Sequence, residues 1–196
     1  MTDLPEGFHD AAWLNQPSAW TAADGSLTIT AAARTDWSNE AFTGARQASA
    51  PALLVERSGD FALSACVHVG FGGTFDAGDI ALWLDESTWA KLCFEYSPQG
   101  QPMIVSVVTR EFSDDVNSVP IDGNSAWLRV SRIGAAYLFS YSTDGRFWHF
   151  VRLFRLGDES AARVGFLAQA PMGDGCTATF SDIRWSAPPA DFRDGT

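Results

Sequence analysis

The segment WAKLCFEY carries three side chains whose types suit the binding of a polar ligand. Alternate side chains of a β-strand point to opposite faces, so Trp89, Lys91 and Glu95 share one face. Leu92 and Phe94 lie on the other face, which has the character of a hydrophobic core. A planar indole ring suits the apolar face of a sugar, and charged groups suit its hydroxyls. The pattern therefore predicts either a solvated strand face or the floor of a binding site.

Two arginines on later segments extend this candidate site. Arg110 ends the segment MIVSVVTR, and Arg152 lies within FVRLF. If neighbouring hairpin strands align in the usual way, both guanidinium groups converge on one sheet face with Lys91 and Glu95. Trp37, in the loop segment RTDW, is a candidate stacking platform beside that face. The predicted ligand-binding residues are Trp37, Trp89, Lys91, Glu95, Arg110 and Arg152.

An alternative interpretation of these charges is structural. Lys91 and Glu95 are about 13 Å apart along a strand, so they do not pair with each other. Each can pair with an arginine on the next strand, an arrangement worth about 0.2–1 kcal/mol. Charges on an exposed sheet face also hinder aggregation.

No catalytic residue set emerges from the sequence. The three histidines, His9, His68 and His149, have no neighbouring Ser–Asp pattern, and the motif Gly-x-Ser-x-Gly is absent. The segment EFSDDVNSVPIDGN contains oxygen ligands but lacks EF-hand spacing, which favours solvated turn residues over a metal site. We therefore predict neither a metal site nor a cofactor.

The overall composition limits the classes of partner and the cellular compartment that we expect. The formal net charge of −11 argues against nucleic acid as a partner, because acidic proteins repel phosphate backbones. No apolar stretch approaches the roughly 18 residues of a membrane span. The N-terminal residues lack the features of a secretory signal, and three widely spaced cysteines suggest reduced thiols. These features predict a cytoplasmic protein without a membrane segment.

The elements that would position the candidate site are strands almost throughout. Short alternating segments are separated by turn residues, and no long amphipathic helix is evident. The turns SPQGQP, RIGAAY and STDGRF predict consecutive hairpins in an antiparallel meander. About eleven or twelve strands in one domain predict a sandwich or barrel, with two packed sheets favoured. We expect one domain over residues 1–186 and a flexible C-terminal tail over 187–196, since the end of the chain is proline-rich and polar.

An ordered series of motifs makes the chain resemble a known family. The series is WLNQPSAW, RTDW, FDAGDIALWLDESTWAKLCFEYS, VVTREFSD, WLRVSR, YSTDGRFWHFVRLF and FSDIRW. It resembles the regulation-of-enolase family, a group of domains of unknown function within the concanavalin A-like lectin and glucanase superfamily. The resemblance implies an all-β, two-sheet antiparallel jelly-roll sandwich whose concave face is the usual ligand surface. Two positions depart from the family pattern: the segment at 75–78 lacks a glutamine, and Asp115 stands where the family usually has tryptophan.

The resemblance leaves three functions open. The first is a non-catalytic binding module for a carbohydrate or sugar-like ligand on the concave sheet face. The second is an intracellular protein-interaction or regulatory module that acts on a metabolic enzyme. The third is a glycoside hydrolase with a non-standard carboxylate pair, because the Glu-x-Asp motifs of laminarinase-like relatives are absent. For that third function Glu95 would need a partner about 5–9 Å away, such as Asp76, Glu111 or Asp114 on another strand.

Overall fold

The computed structural model of the chain describes residues 4–157, 162–191 and 193–196. Those residues contain sixteen β-strands and no helix. In chain order the strands are β1 (Ala12–Leu14), β2 (Ala19–Ala23), β3 (Ser26–Ala32), β4 (Trp37–Asn39), β5 (Arg46–Ala48), β6 (Ala52–Glu56), β7 (Phe61–Gly70), β8 (Ala77–Asp85), β9 (Thr88–Tyr96), β10 (Pro102–Arg110), β11 (Phe112–Pro120), β12 (Ser125–Ile133), β13 (Ala136–Ser142), β14 (His149–Arg155), β15 (Arg163–Gln169) and β16 (Gly175–Ser186).

Two seven-stranded antiparallel sheets pack face to face. The first sheet has the order β1-β6-β15-β8-β9-β10-β11, and the second has the order β14-β13-β12-β7-β16-β3-β2. Strands β4 and β5 form a separate hairpin. The prediction of an all-β, two-sheet antiparallel jelly-roll sandwich is confirmed. Within the described residues, no helix has the length and hydropathy needed to cross a membrane.

The main core lies between the two sheets and follows from the alternation along each strand. On β9, Leu92 and Phe94 contribute to this core, as their positions in the sequence predicted. Phe166 of β15 stacks on Phe8 and packs against Phe180 of β16, with ring centroids 5.1 and 4.6 Å apart. Buried aromatic rings contribute both apolar area and preferred ring geometry, so these contacts hold the sheets together.

The number of strands exceeds the predicted eleven or twelve for two reasons. Strands β1, β4 and β5 have only three residues each, too few for alternation to be visible in the sequence. The segment predicted as solvated turn residues is largely β11, the edge strand of the first sheet. Its backbone pairs with β10, while its polar side chains remain mostly exposed, as is common on an edge strand.

The predicted hairpin turns are present, but they do not form one meander. Residues 97–101 connect β9 to β10, Gly134 lies between β12 and β13, and Gly145 lies between β13 and β14. Gly134 and Gly145 have φ angles of 56° and 70°, which glycine adopts without steric cost. The meander β8–β11 belongs to the first sheet, whereas β12–β14 belong to the second. The chain crosses between the sheets in residues 121–124.

The predicted C-terminal tail follows β16, which ends at Ser186. Gly195 is buried, and its carbonyl oxygen accepts a hydrogen bond of 2.8 Å from the backbone N–H of Trp148. The carbonyl oxygen of Thr196 accepts one of 2.8 Å from Arg129. The described end of this segment therefore lies against the second sheet.

Candidate functional site

The face of the first sheet that points away from the main core, which we call the outer face, is itself covered. Hydrophobic side chains of this face and of the segment around the β4–β5 hairpin form a second core. Its buried members are Trp37, Ala50, Ala52, Leu54, Ala77, Ala81, Trp83, Trp89, Cys93, Val105, Val107 and Leu167. Both faces of β9 are therefore buried, one in each core.

Hydrogen bonds of Asn39 attach the hairpin to the first sheet. The Asn39 side-chain amide donates to the carbonyl oxygens of Glu86 and Glu111, at 3.1 and 2.9 Å. Its backbone N–H donates to the hydroxyl of Ser113 at 3.0 Å. Glu86 lies between β8 and β9, and Glu111 lies between β10 and β11. One buried amide thus ties the hairpin to two turns of the sheet.

The two tryptophans predicted to stack on a ligand belong to the second core. Trp37 is 1% exposed and Trp89 is fully buried. The Trp37 ring lies 4.6 Å from the ring of Trp83 and 5.7 Å from that of Trp89, between centroids. Its indole N–H donates to the carbonyl oxygen of Ala50 at 3.1 Å. The predicted stacking role needs correction, because these rings pack against each other and present no face to solvent.

The strand register places polar residues close together within this apolar face. Successive residues across β9, β10 and β11 are Lys91, Val107 and Asp115. Successive residues across β15, β8 and β9 are Gln169, Ala77 and Glu95. Asp79 of β8 lies directly opposite Cys93 of β9. The outer face therefore carries a buried polar cluster, which we define as Asp36, Asp79, Lys91, Glu95 and Gln169.

Lys91 is the only lysine of the chain, and it is 3% exposed. Its ammonium group donates to Asp36 Oδ1 at 3.2 Å and to Gln169 Oε1 at 2.6 Å. The Gln169 amide in turn donates to the carbonyl oxygen of Phe75 at 3.0 Å. Burial by itself lowers the pKa of Lys91, but Asp36 and the other nearby carboxylates raise it overall. Lys91 is therefore a protonated structural cation rather than a nucleophile.

Asp79 lies within the buried polar cluster and is completely buried. Among the described residues, neither of its carboxylate oxygens has a conventional hydrogen-bond partner. Burial raises the pKa of Asp79 to about 7, against the opposing effects of the Lys91 charge and the Cys93 thiol. Burial disfavours the charged form of a carboxylic acid, so Asp79 changes its ionisation near neutral pH.

Glu95 is 8% exposed. Burial raises the pKa of Glu95 to about 8, because it outweighs the opposing effect of Lys91. The carboxylates of Asp79, Asp36 and Asp115 raise this pKa further. Near neutral pH the Glu95 carboxyl is mostly protonated, so it can both donate and accept a hydrogen bond.

A pocket of about 320 Å³ opens beside this cluster. Glu95, Lys91, Val105 and Val107 line it from the sheet, and Gln169 lines it from β15. The remaining lining residues come from the hairpin region, from β11 and from the loop before β8: Asp36, Trp37, Ser38, Glu40, Phe75, Ser113, Asp115 and Asn117. Its walls are thus mostly polar, and aliphatic side chains supply part of its floor.

The structure separates Arg110 and Arg152 from this pocket. In the β9–β10 register, Lys91 is opposite Val107 and Arg110 is opposite Thr88, so Arg110 points to the other face of the sheet. Arg152 lies on β14 of the second sheet, where it binds Asp114 with an N–O distance of 2.9 Å. The predicted convergence of four charges on one face is therefore wrong for both arginines. That prediction assumed that all the hairpins belong to one continuous meander in one sheet.

Two of the carboxylates that the sequence offered as catalytic partners of Glu95 bind other groups instead. Asp76 accepts hydrogen bonds from the backbone N–H groups of Gly72 and Gly73, at 2.9 and 2.7 Å, which holds a loop. Asp114 binds Arg152, and it is on the opposite face of β11 from Asp115. The carboxyl groups that affect Glu95 electrostatically are instead those of Asp36, Asp79 and Asp115. The described residues contain no group of three or more His, Cys, Asp or Glu arranged to hold a metal ion.

The sequence did not single out Asp36, Asp79, Asp115 or Gln169 as site residues. Asp79 carried the clearest missed signal, since it is an acidic residue within the apolar alternating segment DIALWLD. A charged residue at such a position is normally paired or functional when buried. Asp36 and Gln169 gave no local signal, because their contacts with Lys91 span 55 and 78 residues of sequence.

The second sheet carries another depression, of about 440 Å³, on its outer face. Trp127, Trp148 and Trp185 contribute to its lining and are partly exposed. The Arg129 guanidinium lies 4.3 Å from the ring centroid of Trp148. Burial lowers the pKa of Arg129 to about 10. These three partly exposed tryptophans thus lie on the opposite sheet from the predicted site.

Comparison with protein families and with known sequences identifies one family and two related proteins. The family described as "Protein of unknown function (DUF1349)" matches residues 13–188. The chain is 30% identical over 189 residues to Regulation of enolase protein 1 of Saccharomyces cerevisiae, covering 95% of this chain and 92% of that protein. It is 28% identical over 120 residues to a putative beta-xylosidase of Escherichia coli K12, covering 52% of this chain and 22% of that protein.

Comparison with solved structures shows the same sandwich. A functionally unknown protein from Saccharomyces cerevisiae superposes with a TM-score of 0.85 at 29% identity, covering 93% of this chain and 99% of that one. The GH43 protein BlXynB from Bacillus licheniformis, as a K247S mutant, superposes with a TM-score of 0.72 at 15% identity. At 15% identity this similarity shows the fold alone, and this chain spans only 37% of the GH43 protein.

Proposed function

We propose that this chain, which belongs to the family described as "Protein of unknown function (DUF1349)", is a non-catalytic binding module for a sugar-like, polyhydroxylated ligand. The proposed site is the pocket of about 320 Å³ on the outer face of the first sheet. Its proposed ligand-binding residues are Glu95 of the sequence-based set, joined by Asp36, Asp115, Asn117 and Gln169, while Lys91 holds Asp36 and Gln169 in place.

The chemistry of the pocket supports a polyhydroxylated ligand. Its volume lies near the lower limit of small-molecule sites, which span about 300–1,000 Å³. Carboxyl, amide and hydroxyl groups surround the opening, and they offer both donors and acceptors to ligand hydroxyls. Val105 and Val107 provide the apolar contact that the C–H groups of a ring require. Trp37 is buried and offers no face for stacking, so the aromatic ring available at the pocket wall is that of Phe75, which is partly exposed.

The observation that carries the proposal is the state of the Glu95 carboxyl. It lines the pocket, it is 8% exposed, and no hydrogen bond to it is found among the described residues. Its oxygens are not among the sealed polar atoms that lack a partner, so they face the pocket, where a hydrogen-bonding group can reach them. A ligand hydroxyl would satisfy this carboxyl, which favours binding over a purely structural role.

The single lysine provides a residue-specific test. In protein labelled with 15N-lysine, the side-chain resonance of Lys91 reports any change in the buried polar cluster. We expect a saturable shift on titration with at least one sugar of a panel of neutral, amino and acidic sugars. Glu95→Gln should weaken that binding, whereas Asp24→Asn, on the exposed β2–β3 turn of the second sheet, should not.

The outcomes of this test separate the binding function from glycoside hydrolysis. Absence of a shift with every sugar would overturn the binding proposal. Release of cleaved product from an oligosaccharide during the titration would instead support the glycoside hydrolase. The same sample can be inspected for products by chromatography, so no second preparation is needed.

A regulatory role is the second candidate function. It is supported by the 30% identity, over nearly the full length of both chains, to a relative named Regulation of enolase protein 1. We propose that the chain then acts through direct contact with a metabolic enzyme. Sedimentation of the purified chain with purified enolase from the same organism would show a complex. Independent sedimentation of the two proteins at micromolar concentration would count against it.

A further inference from the structure

The walls of the proposed site carry more negative than positive formal charge. Four carboxyl groups line the pocket, and Asp79 lies behind them in the buried polar cluster. The four are Asp36, Glu40, Glu95 and Asp115. Lys91 is the only cationic side chain that lines it. A ligand that enters this pocket therefore meets an excess of carboxyl groups.

The one cation is already committed to protein partners. The Lys91 ammonium is bound to Asp36 and Gln169, at 3.2 and 2.6 Å. Its side chain is 4% exposed, which leaves little of it accessible to an incoming anion. Arg152, the cation expected beside it, binds Asp114 at the sheet edge instead. The pocket therefore has no cation available for a carboxylate or phosphate of the ligand.

Of the four carboxyl groups that line the pocket, Glu95 is the most deeply buried. It is more than nine-tenths buried, lines the pocket, and has no hydrogen-bond partner among the described residues. The charged or titratable groups that face it are Asp79 from β8, Lys91 and Cys93 from β9, Asp115 from β11 and Asp36 from the segment before β4. Three of these five groups are acidic. A buried carboxylate is stable only when it is paired and hydrogen-bonded.

We infer that the ligand carries a protonated amine, as in an amino sugar, and that its ammonium group pairs with Glu95, while Asp115, farther along the pocket wall, adds to the negative charge around it. This inference rests on the proposed binding function and specifies its ligand class. An ammonium group brings three hydrogen-bond donors and one positive charge, which is what the pocket lacks. The ligand hydroxyls would then meet Asn117 and Gln169. Acidic and phosphorylated sugars are excluded, since they would add charge of the sign already in excess.

Pairing with an ammonium group must also release a proton. The pKa of Glu95 is raised to about 8 by burial, and a neighbouring cation favours the ionised form of a carboxyl group. Binding near pH 6.5 therefore converts a protonated Glu95 to its carboxylate. Calorimetry in phosphate and in Tris, buffers that differ in their heats of ionisation, would show a buffer-dependent enthalpy that corresponds to as much as one proton released. A neutral sugar should show none.

The test compares matched amine and hydroxyl probes on the intact chain. We would measure glucosamine against glucose, galactosamine against galactose and mannosamine against mannose at pH 6.5, with the N-acetyl derivatives as uncharged controls. For the pair that binds best, we expect the amine to bind about tenfold more tightly or better, as one additional charge-assisted hydrogen bond would provide. Glucuronate should not bind.

Two variants connect the preference to the pocket. Glu95→Gln should remove both the preference for the amine and the proton release. Asp115→Asn, at the exposed mouth of the pocket, should reduce the preference several-fold without affecting folding. Asp24→Asn removes an equal charge at a distant turn and should retain the full preference.

Different results would overturn different claims. Equal affinity for amine and hydroxyl sugars would overturn this inference and leave the proposed binding function intact. If cyclohexylamine binds as tightly as the amino sugars, the claim that the site selects an amine would stand. The claim that the ligand is polyhydroxylated would be overturned. Absence of binding by every probe would overturn both.

Discussion

Replacing Lys91 with methionine should destabilise the fold strongly. Its ammonium group is 3.2 Å from Asp36 Oδ1, and Coulomb's law at an effective dielectric constant of about 20 gives about 332/(20 × 3.2), or about 5 kcal/mol. Removing one member of a buried pair typically costs about 3–5 kcal/mol. The Asp36 side chain is 20% exposed and so keeps some hydration. We therefore expect Lys91→Met to lower the free energy of unfolding by about 3 kcal/mol.

A double-mutant cycle identifies the source of this loss. Urea denaturation at pH 7.5, followed by tryptophan fluorescence, gives the free energy of unfolding of the wild type, Lys91→Met, Asp36→Asn and the double variant. The double variant leaves no unpaired charge at Asp36, so its loss should be smaller than the sum of the single losses by about 2 kcal/mol. A loss below about 1 kcal/mol for Lys91→Met, or simple additivity, would refute the reasoning.

Three further predictions follow from the same structure. Burial raises the pKa of Glu95 from 4.5 to about 8, so stability should fall as the pH rises between those values, by at most about 1.4 kcal/mol per pH unit. Urea denaturation from pH 5 to 8 should show a shallower decline for Glu95→Gln; an identical decline would contradict the assignment. Gly165→Ala places a methyl group against a backbone carbonyl of the neighbouring strand and should cost more than about 3 kcal/mol, whereas Gly70→Ala meets only an atom at 3.7 Å; similar melting temperatures for the two variants would contradict this. Arg152→Ala should change stability by less than about 1 kcal/mol, because its partner Asp114 is 63% exposed, and a fall in Tm above about 5 °C would show a larger role.

The β9 strand shows how much of the site could be predicted. Alternation correctly separated Leu92 and Phe94 from Lys91 and Glu95, because side chains of a strand alternate whatever lies beside it. It could not show that the second face is also buried, since the β4–β5 hairpin that covers it lies about 50 residues earlier in the chain. The prediction that Lys91 and Glu95 lie on one face was correct, but their surroundings were not predictable.

The arginines show why the rest of the site was missed. Arg110 and Arg152 were placed beside Lys91 by assuming that consecutive hairpins form one sheet. The register of β10 and the crossover between β11 and β12 place both on other faces. Their replacements, Asp36 and Gln169, approach Lys91 from segments far away in sequence. Nothing in the local pattern of either segment indicates that contact.

The sequence by itself determined most of the longer strands, the direction of their side chains and the class of fold. These properties depend on local backbone geometry and on the burial of apolar residues. Only the tertiary structure decided which strands are neighbours, which face the hairpin covers and which charges share a low-dielectric pocket. Strand order depends on contacts between distant segments, and a carboxyl group such as Glu95 acquires its raised pKa only when those segments exclude water around it.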